Sequence, residues 1–268
     1  MKRRFFYLKV IFFIYFPYIA FSFGNLREDF CVSTGLSSHN SINYYNPSLI
    51  PFENKNIINI NISPGLFNMT ELQQNEIYSK FNIIDNLFVS IGYAGINNNL
   101  FSENNGTFGF AYKFSPIFQL GIDLNYNNYT VTNFSSINSF KINIGGRIKL
   151  DEQLYAGFVL QNVNRSSRIE NDNNPEQSAK FGLAYLINDN FTIEAESNIN
   201  ISKSNSFSFA SKYDIEKIIS LRIAFLTEPQ TVTFGANYNL FDNYYLNYDI
   251  NKNNNLGYSH FIGLSILW

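Results

Sequence analysis

The chain has 268 residues, of which 18% are aromatic and 15% charged, with a formal net charge of −2 and a mean hydropathy of −0.13. A near-neutral charge gives no basis for nucleic-acid binding, and beyond the N-terminus no run of about 20 apolar residues exists from which to build a helical membrane bundle. Abundant aromatic residues at ordinary mean hydropathy fit a chain that hides its apolar side chains at every second position.

Lys2, Arg3 and Arg4 precede a mostly apolar stretch at 5–19, and Ala20-Phe21-Ser22 offers a small-x-small cleavage site, so residues 1–22 read as a signal peptide. A retained membrane helix is the alternative, for which the stretch is short and interrupted by Lys9 and Pro17. Cys31 is the only cysteine, so no internal disulfide is available, and Asp29-Phe30 in front of it is unlike a lipoprotein box. Residues 23–54 are polar, and Asn46-Pro47-Ser48 within them reads as a turn leading into the first strand.

From residue 55 onward, alternating segments are separated by turn residues. Fourteen strands are predicted, at 55–63, 75–84, 87–95, 105–114, 117–128, 138–149, 152–162, 178–187, 190–201, 205–213, 217–226, 230–239, 242–250 and 257–268. The first two have the weakest patterns, so twelve is the alternative count. Most are about 9 to 12 residues long, the length of a tilted bilayer-crossing strand, whereas soluble strands run about 5 or 6. Joins from even to odd strands are tight, such as Asp85-Asn86 and Ser115-Pro116. The opposite joins, including 64–74, 96–104, 129–137, 163–177 and 251–256, are mostly longer. Short turns on one rim and longer loops on the other are typical of outer-membrane barrels.

Outward faces carry Phe108, Phe110, Tyr112 and Phe114, or Ile219, Leu221, Ile223 and Phe225, while the opposite faces carry Gln119, Gly121, Asp123 and Asn125. The last strand places Ile262, Leu264, Ile266 and Trp268 on one apolar face, an ending of the kind read by the barrel-assembly machinery. The fold expected is an all-β, antiparallel up-and-down transmembrane barrel over 55–268 in contact with outer-membrane lipid. A soluble exported β-sandwich would show the same alternation with the solvent exchanged.

A barrel of this size is too wide for its own side chains to fill. Residues 23–54 are the candidate plug, with a disordered tail as the alternative. Inward positions hold ionisable residues of both signs: Lys113, Asp123, Lys141, Arg147, Lys149, Lys180, Glu194, Glu196, Lys212, Arg222 and Asp249. Ion pairing between neighbouring strands, selectivity, or simple hydration of the lumen are the roles open to them. Glu194 and Glu196 share a face, but no His or Cys lies near them in sequence, so neither metal binding nor catalysis is expected there. His39 lies in the polar N-terminal segment and His260 on an outward face, and neither has a recognisable catalytic arrangement. No cofactor or metal is expected, and the protein is read as no enzyme.

Tyr45-Asn46-Pro47-Ser48-Leu49, the stretch Leu154-Tyr155-Ala156-Gly157-Phe158-Val159-Leu160-Gln161-Asn162-Val163, Phe181-Gly182-Leu183-Ala184-Tyr185, residues 221–239 and Leu256-Gly257-Tyr258-Ser259-His260 together resemble the PorV/PorQ-like barrels of the FadL-like superfamily. Asn46-Pro47-Ser48 is similar to the Asn-Pro-Ala element that precedes the first strand in that group; a Gly-Met-Gly segment upstream is missing. The resemblance implies a fourteen-stranded barrel in the outer membrane of a Gram-negative-type bacterium, with its N-terminal segment tucked inside. It implies either carriage of small or hydrophobic solutes, with a hydrophobic ligand, or an accessory or scaffold role beside type IX-like secretion-system proteins.

Overall fold

Alternation of apolar and polar residues over ten or so positions leaves each strand with one face that must avoid water and one that must find it. The computed structural model describes residues 33–36, 45–49, 55–134, 136–167, 176–201 and 203–268. The strands are β1 (Ile57–Ser63), β2 (Gln74–Ile84), β3 (Leu87–Asn97), β4 (Phe101–Ser115), β5 (Phe118–Val131), β6 (Ile137–Lys149), β7 (Leu154–Gln161), β8 (Ser178–Asn188), β9 (Phe191–Asn200), β10 (Ser206–Ile215), β11 (Ile219–Thr227), β12 (Gln230–Phe241), β13 (Tyr244–Asn253) and β14 (Gly257–Leu267). Each pairs antiparallel with its sequence neighbours, and β1 closes on β14, so the barrel has fourteen strands and not twelve. At the seam Ile57 faces Leu267 and Ile62 faces Ile262, while Asn56 and Trp268 exchange backbone hydrogen bonds of 2.9 and 3.2 Å. The signal segment, Cys31 and His39 lie outside the described residues.

Three loops are shorter than expected, because the ladder runs on past the expected strand ends, through Asn97, Asn104, Asn251 and Asn253 among others. Asn104 pairs with Asn128 and Asn105 with Asn127, so β4 starts at Phe101 and β5 runs to Val131, leaving only 98–100 and 132–136 as loops. Likewise β13 runs to Asn253, and the loop expected at 251–256 becomes 254–256. On the opposite rim residues 150–153 form a turn, which shortens β7 to Leu154–Gln161.

The solvent relations are the reverse of a water-soluble sheet protein. Phe108, Phe110, Ile122, Phe140, Leu183, Ile223, Phe234 and Leu246 are exposed on the outer wall, while Asn59, Gln119, Thr192, Thr233 and Asn247 are buried inside. All fourteen strands form one sheet that closes on itself, in place of the two facing sheets of a sandwich. A closed wall of this kind satisfies its backbone groups within itself, as lipid requires.

Aromatic side chains gather where the wall meets the short-turn rim. Tyr112 packs edge-on against Phe114 at 4.8 Å, Phe191 lies 6.2 Å from Tyr213, Phe241 lies 6.4 Å from Tyr244, and Trp268 meets Phe81 at 6.1 Å. Toward the loop rim the outer tyrosines hold polar partners instead: Tyr93 Oη donates to Asn104 (2.6 Å), Tyr126 Oη donates to Asn138 (2.8 Å), and Tyr248 Oη lies 2.8 Å from His260 Nδ1. From Phe118 to Tyr126 is a run of about 26 Å along the strand, or ~20 Å after tilt, close to the apolar band of outer-membrane barrels.

The loop joining β1 to β2 folds into the mouth. Its Leu66, Phe67 and Leu72 pack with inward-facing Ile96, Phe101 and Phe261 in a buried apolar cluster. The Phe67 N–H donates to Ser259 Oγ (3.0 Å) and the Asn68 N–H to the Tyr258 carbonyl (2.8 Å), which ties the loop to β14.

Candidate functional site

Inside the wall, four neighbouring strands present glycine at closely matched heights. Gly121 on β5 pairs with Gly145 on β6, and Gly157 on β7 pairs with Gly182 on β8. Residues 33–36 and 45–49 occupy the groove these glycines leave. A Cβ on Gly121 would strike the Pro47 carbonyl, one on Gly145 the Asn46 side chain, one on Gly157 the Ser33 carbonyl and one on Gly182 the Ser33 hydroxyl. Here glycine is needed for close approach of another backbone, not for an unusual φ.

Polar side chains of the wall complete the grip. Glu196 Oε2 accepts the Ser33 N–H (2.6 Å), and Glu194 Oε1 accepts both the Thr34 hydroxyl (2.6 Å) and the Leu36 N–H (2.6 Å). Arg147 donates to the Thr34 carbonyl (3.3 Å) and Lys80 donates to the Leu49 carbonyl. Bonds with an ionised partner are about twice as strong as neutral ones. Asn46 links the two pieces: its Nδ2 donates to the Ser33 carbonyl (2.7 Å), while its Oδ1 accepts the Ser48 N–H (2.9 Å) and hydroxyl (2.8 Å). Asn46, Pro47 and Ser48 thus make an Asx turn beside the β5 and β6 glycines, not the entry to β1 expected from sequence.

All eleven ionisable residues assigned to the lumen stand on inward positions of their strands. Arg222 pairs with Asp249 at 3.2 Å, both side chains only 2% exposed, and Lys212 reaches Asp214 at 3.4 Å. Lys141 lies 4.0 Å from Glu176 in the β7–β8 loop. Asp123 collects amides, accepting from Asn125 and from Asn143 (2.9 Å). Lys149 and Arg147 both stand over the Tyr155 ring, at 5.9 and 6.0 Å. Lys180 is buried on β8, and Lys113 faces inward near the short-turn rim. Directly across the strands from Glu194 and Glu196 stand uncharged residues. These are Ala184 with Ala210 and Gly182 with Ser208, small residues that leave room for the N-terminal residues.

Several functional residues escaped sequence reasoning. Lys80, 2% exposed, shares the inward face of β2 with Gln74, Glu76 and Tyr78, and counting in twos from Gln74 would have found it. Glu176 lies in a loop, where no period assigns a direction. The glycine groove required strand register, which spacing alone does not supply.

Between the N-terminal residues and the apolar cluster at the mouth lies a cavity of about 100 Å³, lined mainly by β2 to β8 with Tyr45. Its wall is an amide and hydroxyl lattice. Asn105 Nδ2 donates to Asn127 Oδ1 (2.6 Å), and the Thr107 hydroxyl lies 2.7 Å from Asn125 Oδ1 and 3.0 Å from Asn105 Oδ1. The Asn162 N–H donates to Asn143 Oδ1 (2.8 Å), and the Ser178 hydroxyl donates to Gln161 (2.7 Å). Among the described residues no cluster of His, Cys, Asp and Glu is placed to hold a metal ion.

No protein-family model matches the chain, and no curated protein is similar to it in sequence. Solved barrels are similar in fold. The P. putida toluene transporter TodX aligns with a TM-score of 0.61 and 11% identity over 86% of this chain and 94% of that one. A Pseudomonas aeruginosa FadL homologue gives 0.60 and 10% over 88% and 96%, and the CymD monoaromatic hydrocarbon channel gives 0.59 and 9% over 80% and 88%. The chain is therefore a closed antiparallel β-barrel of the outer-membrane type. Its structural neighbours include FadL-like transporters, and at these identities the likeness extends to the fold alone.

Proposed function

We propose that this protein is a non-enzymatic outer-membrane transport barrel of a Gram-negative-type bacterium, through which small solutes pass when residues 33–36 and 45–49 leave the glycine groove. As part of that reading we place it among the PorV/PorQ-like barrels, on the strength of the Asn46-Pro47-Ser48 element and the stretch at 154–163. One observation carries the proposal. Residues 33–36 and 45–49 lie against the glycines of the inner wall, held through groups that water can also satisfy. A plug of this kind exchanges wall hydrogen bonds for solvent ones when it moves, at far smaller cost than opening an apolar core. TodX, CymD and the FadL homologue, a toluene transporter, a hydrocarbon channel and a relative of FadL, make solute passage a natural use of the fold.

Planar-bilayer conductance of the full chain tests this. Gly157→Val and Gly182→Val each place a side chain where Ser33 lies. Each variant is expected to show more frequent and larger open levels than the wild type while keeping the heat-modifiable gel mobility of a folded barrel. Conductance equal to the wild type in both correctly folded variants would overturn the proposal.

A further inference from the structure

We infer that the cavity above the N-terminal residues is a binding site for a neutral, hydroxyl-rich solute, a saccharide or polyol, and not for a hydrocarbon. The inference rests on the transport reading and gives it a solute class. Ligand sites for apolar molecules are lined mostly by apolar groups with few polar ones. This lining is mixed: amides from Asn105, Asn125, Asn127, Asn143 and Gln161 and the Thr107 and Ser178 hydroxyls share it with tyrosine rings, so an apolar solute would meet many polar groups. An apolar solute would strip water from these groups and return nothing.

The chemistry of the amides narrows the class. A carboxamide offers two donors and an acceptor, and a sugar hydroxyl both donates and accepts, so each can satisfy the other without a net charge. Asn127 supplies the clearest sign that a partner belongs there. It is 6% exposed, its Oδ1 is taken by Asn105, and among the described residues its buried Nδ2 has no hydrogen-bond partner. Such an orphaned donor is costly to leave and is commonly explained by a ligand or ordered water.

The ionic groups at the cavity do not favour a charged solute. Its carboxylates are Glu76 and Glu176 and its ammonium is Lys141. Glu176 lies beside both Lys141 (4.0 Å) and Lys203 (2.6 Å), and Glu76 accepts from the Gln74 (2.6 Å) and Asn61 (3.3 Å) amides. An anion would face two acids, and a cation would meet acids already engaged. The rings of Tyr78, which covers Gly92, and of Tyr45 border the same space and offer surfaces for the C–H face of a sugar ring. A volume of about 100 Å³ in this measure holds on the order of half a dozen waters, so a monosaccharide-sized solute is the expected scale.

Swelling of proteoliposomes holding the full-length protein, read against protein-free liposomes, provides the test with arabinose, glucose and gluconate as probes; toluene, which crosses lipid unaided, is tested as a competitor of glucose saturation transfer. Saturation-transfer NMR with glucose on the wild type adds a readout that needs no variant. Glucose and arabinose are expected to enter and to show saturation transfer, with gluconate slower than glucose. Asn127→Leu and Thr107→Val are each expected to reduce sugar entry about ten-fold, as loss of a specific hydrogen bond would, with heat-modifiable mobility retained. Gluconate entry without entry or saturation transfer of either sugar, or displacement of glucose by toluene, would overturn this inference and leave the transport reading standing. Failure of every probe to enter would count against both, and sugar entry unchanged in the two variants would show that the cavity does not select it.

Discussion

Arg222 and Asp249 show how a single contact inside the barrel differs from one on a protein surface. The pair is almost wholly removed from solvent, so deleting one partner leaves a buried charge with its counter-charge gone. Arg222→Met or Asp249→Asn is expected to destabilise by about 3–5 kcal/mol, read from urea unfolding in lipid vesicles. The double variant Arg222→Met/Asp249→Asn is expected to lose clearly less than the sum of the two, and strict additivity would show that they do not interact. Glu194 and Glu196 act differently, since what they hold is the N-terminal backbone. Replacing either with Gln removes charge assistance worth about 1–2 kcal/mol and is expected to raise the open probability about ten-fold in single-channel records. An unchanged open probability would assign these acids to the wall alone. Parity along strands made both acids, and Arg222 with Asp249, legible in the sequence. Their partners were not legible, because the Ser33 and Thr34 contacts span some 160 positions of chain and depend on backbone atoms that no residue type announces.

At the scale of the strand, a period of two was enough to find all fourteen elements and to assign their faces. It misplaced ends where the ladder ran on through a turn-forming residue, as at Asn104, which stands opposite Asn128, and at Asn251 and Asn253, which stand opposite Ser259 and Gly257. The outward face of β5 offers a direct test of what surrounds the wall. Ile122, 41% exposed, lies midway between rim residues Phe118 and Tyr126. Ile122→Arg is expected to cost about 2–4 kcal/mol in lipid vesicles, against a much smaller effect in water for an exposed side chain. A cost near zero would mean that this face does not meet hydrocarbon. At the seam, Trp268 joins β1 through its backbone and meets Phe81 through its ring, so Trp268→Ala separates the two contributions. It should keep the β1–β14 closure, seen as intact heat-modifiable mobility, while losing about 0.5–1.5 kcal/mol of rim packing. Loss of the folded band altogether would assign closure to the side chain.

For the whole molecule, the described residues stack along the barrel axis in a functional order. Lys113, Lys149 and Lys212 stand toward the short-turn rim, followed by the N-terminal residues in their glycine groove, the amide-lined cavity, and the apolar cluster of the β1–β2 loop at the mouth. Barrel class was legible from strand length, unequal rims and alternation, because each reflects a constraint of the bilayer on every strand. The groove, the cavity and the mouth cluster were not legible, because each is a product of register between strands far apart in sequence. On the proposed function, solutes pass only when the N-terminal residues leave the groove. Locking them in place tests it most directly. In a Cys31→Ser background, Thr34→Cys with Glu194→Cys sets two thiols where the Thr34 hydroxyl now meets the Glu194 carboxylate. Single-channel current through this variant should fall to the closed level on oxidation and return on reduction. Current that is indifferent to the formed disulfide would contradict the account.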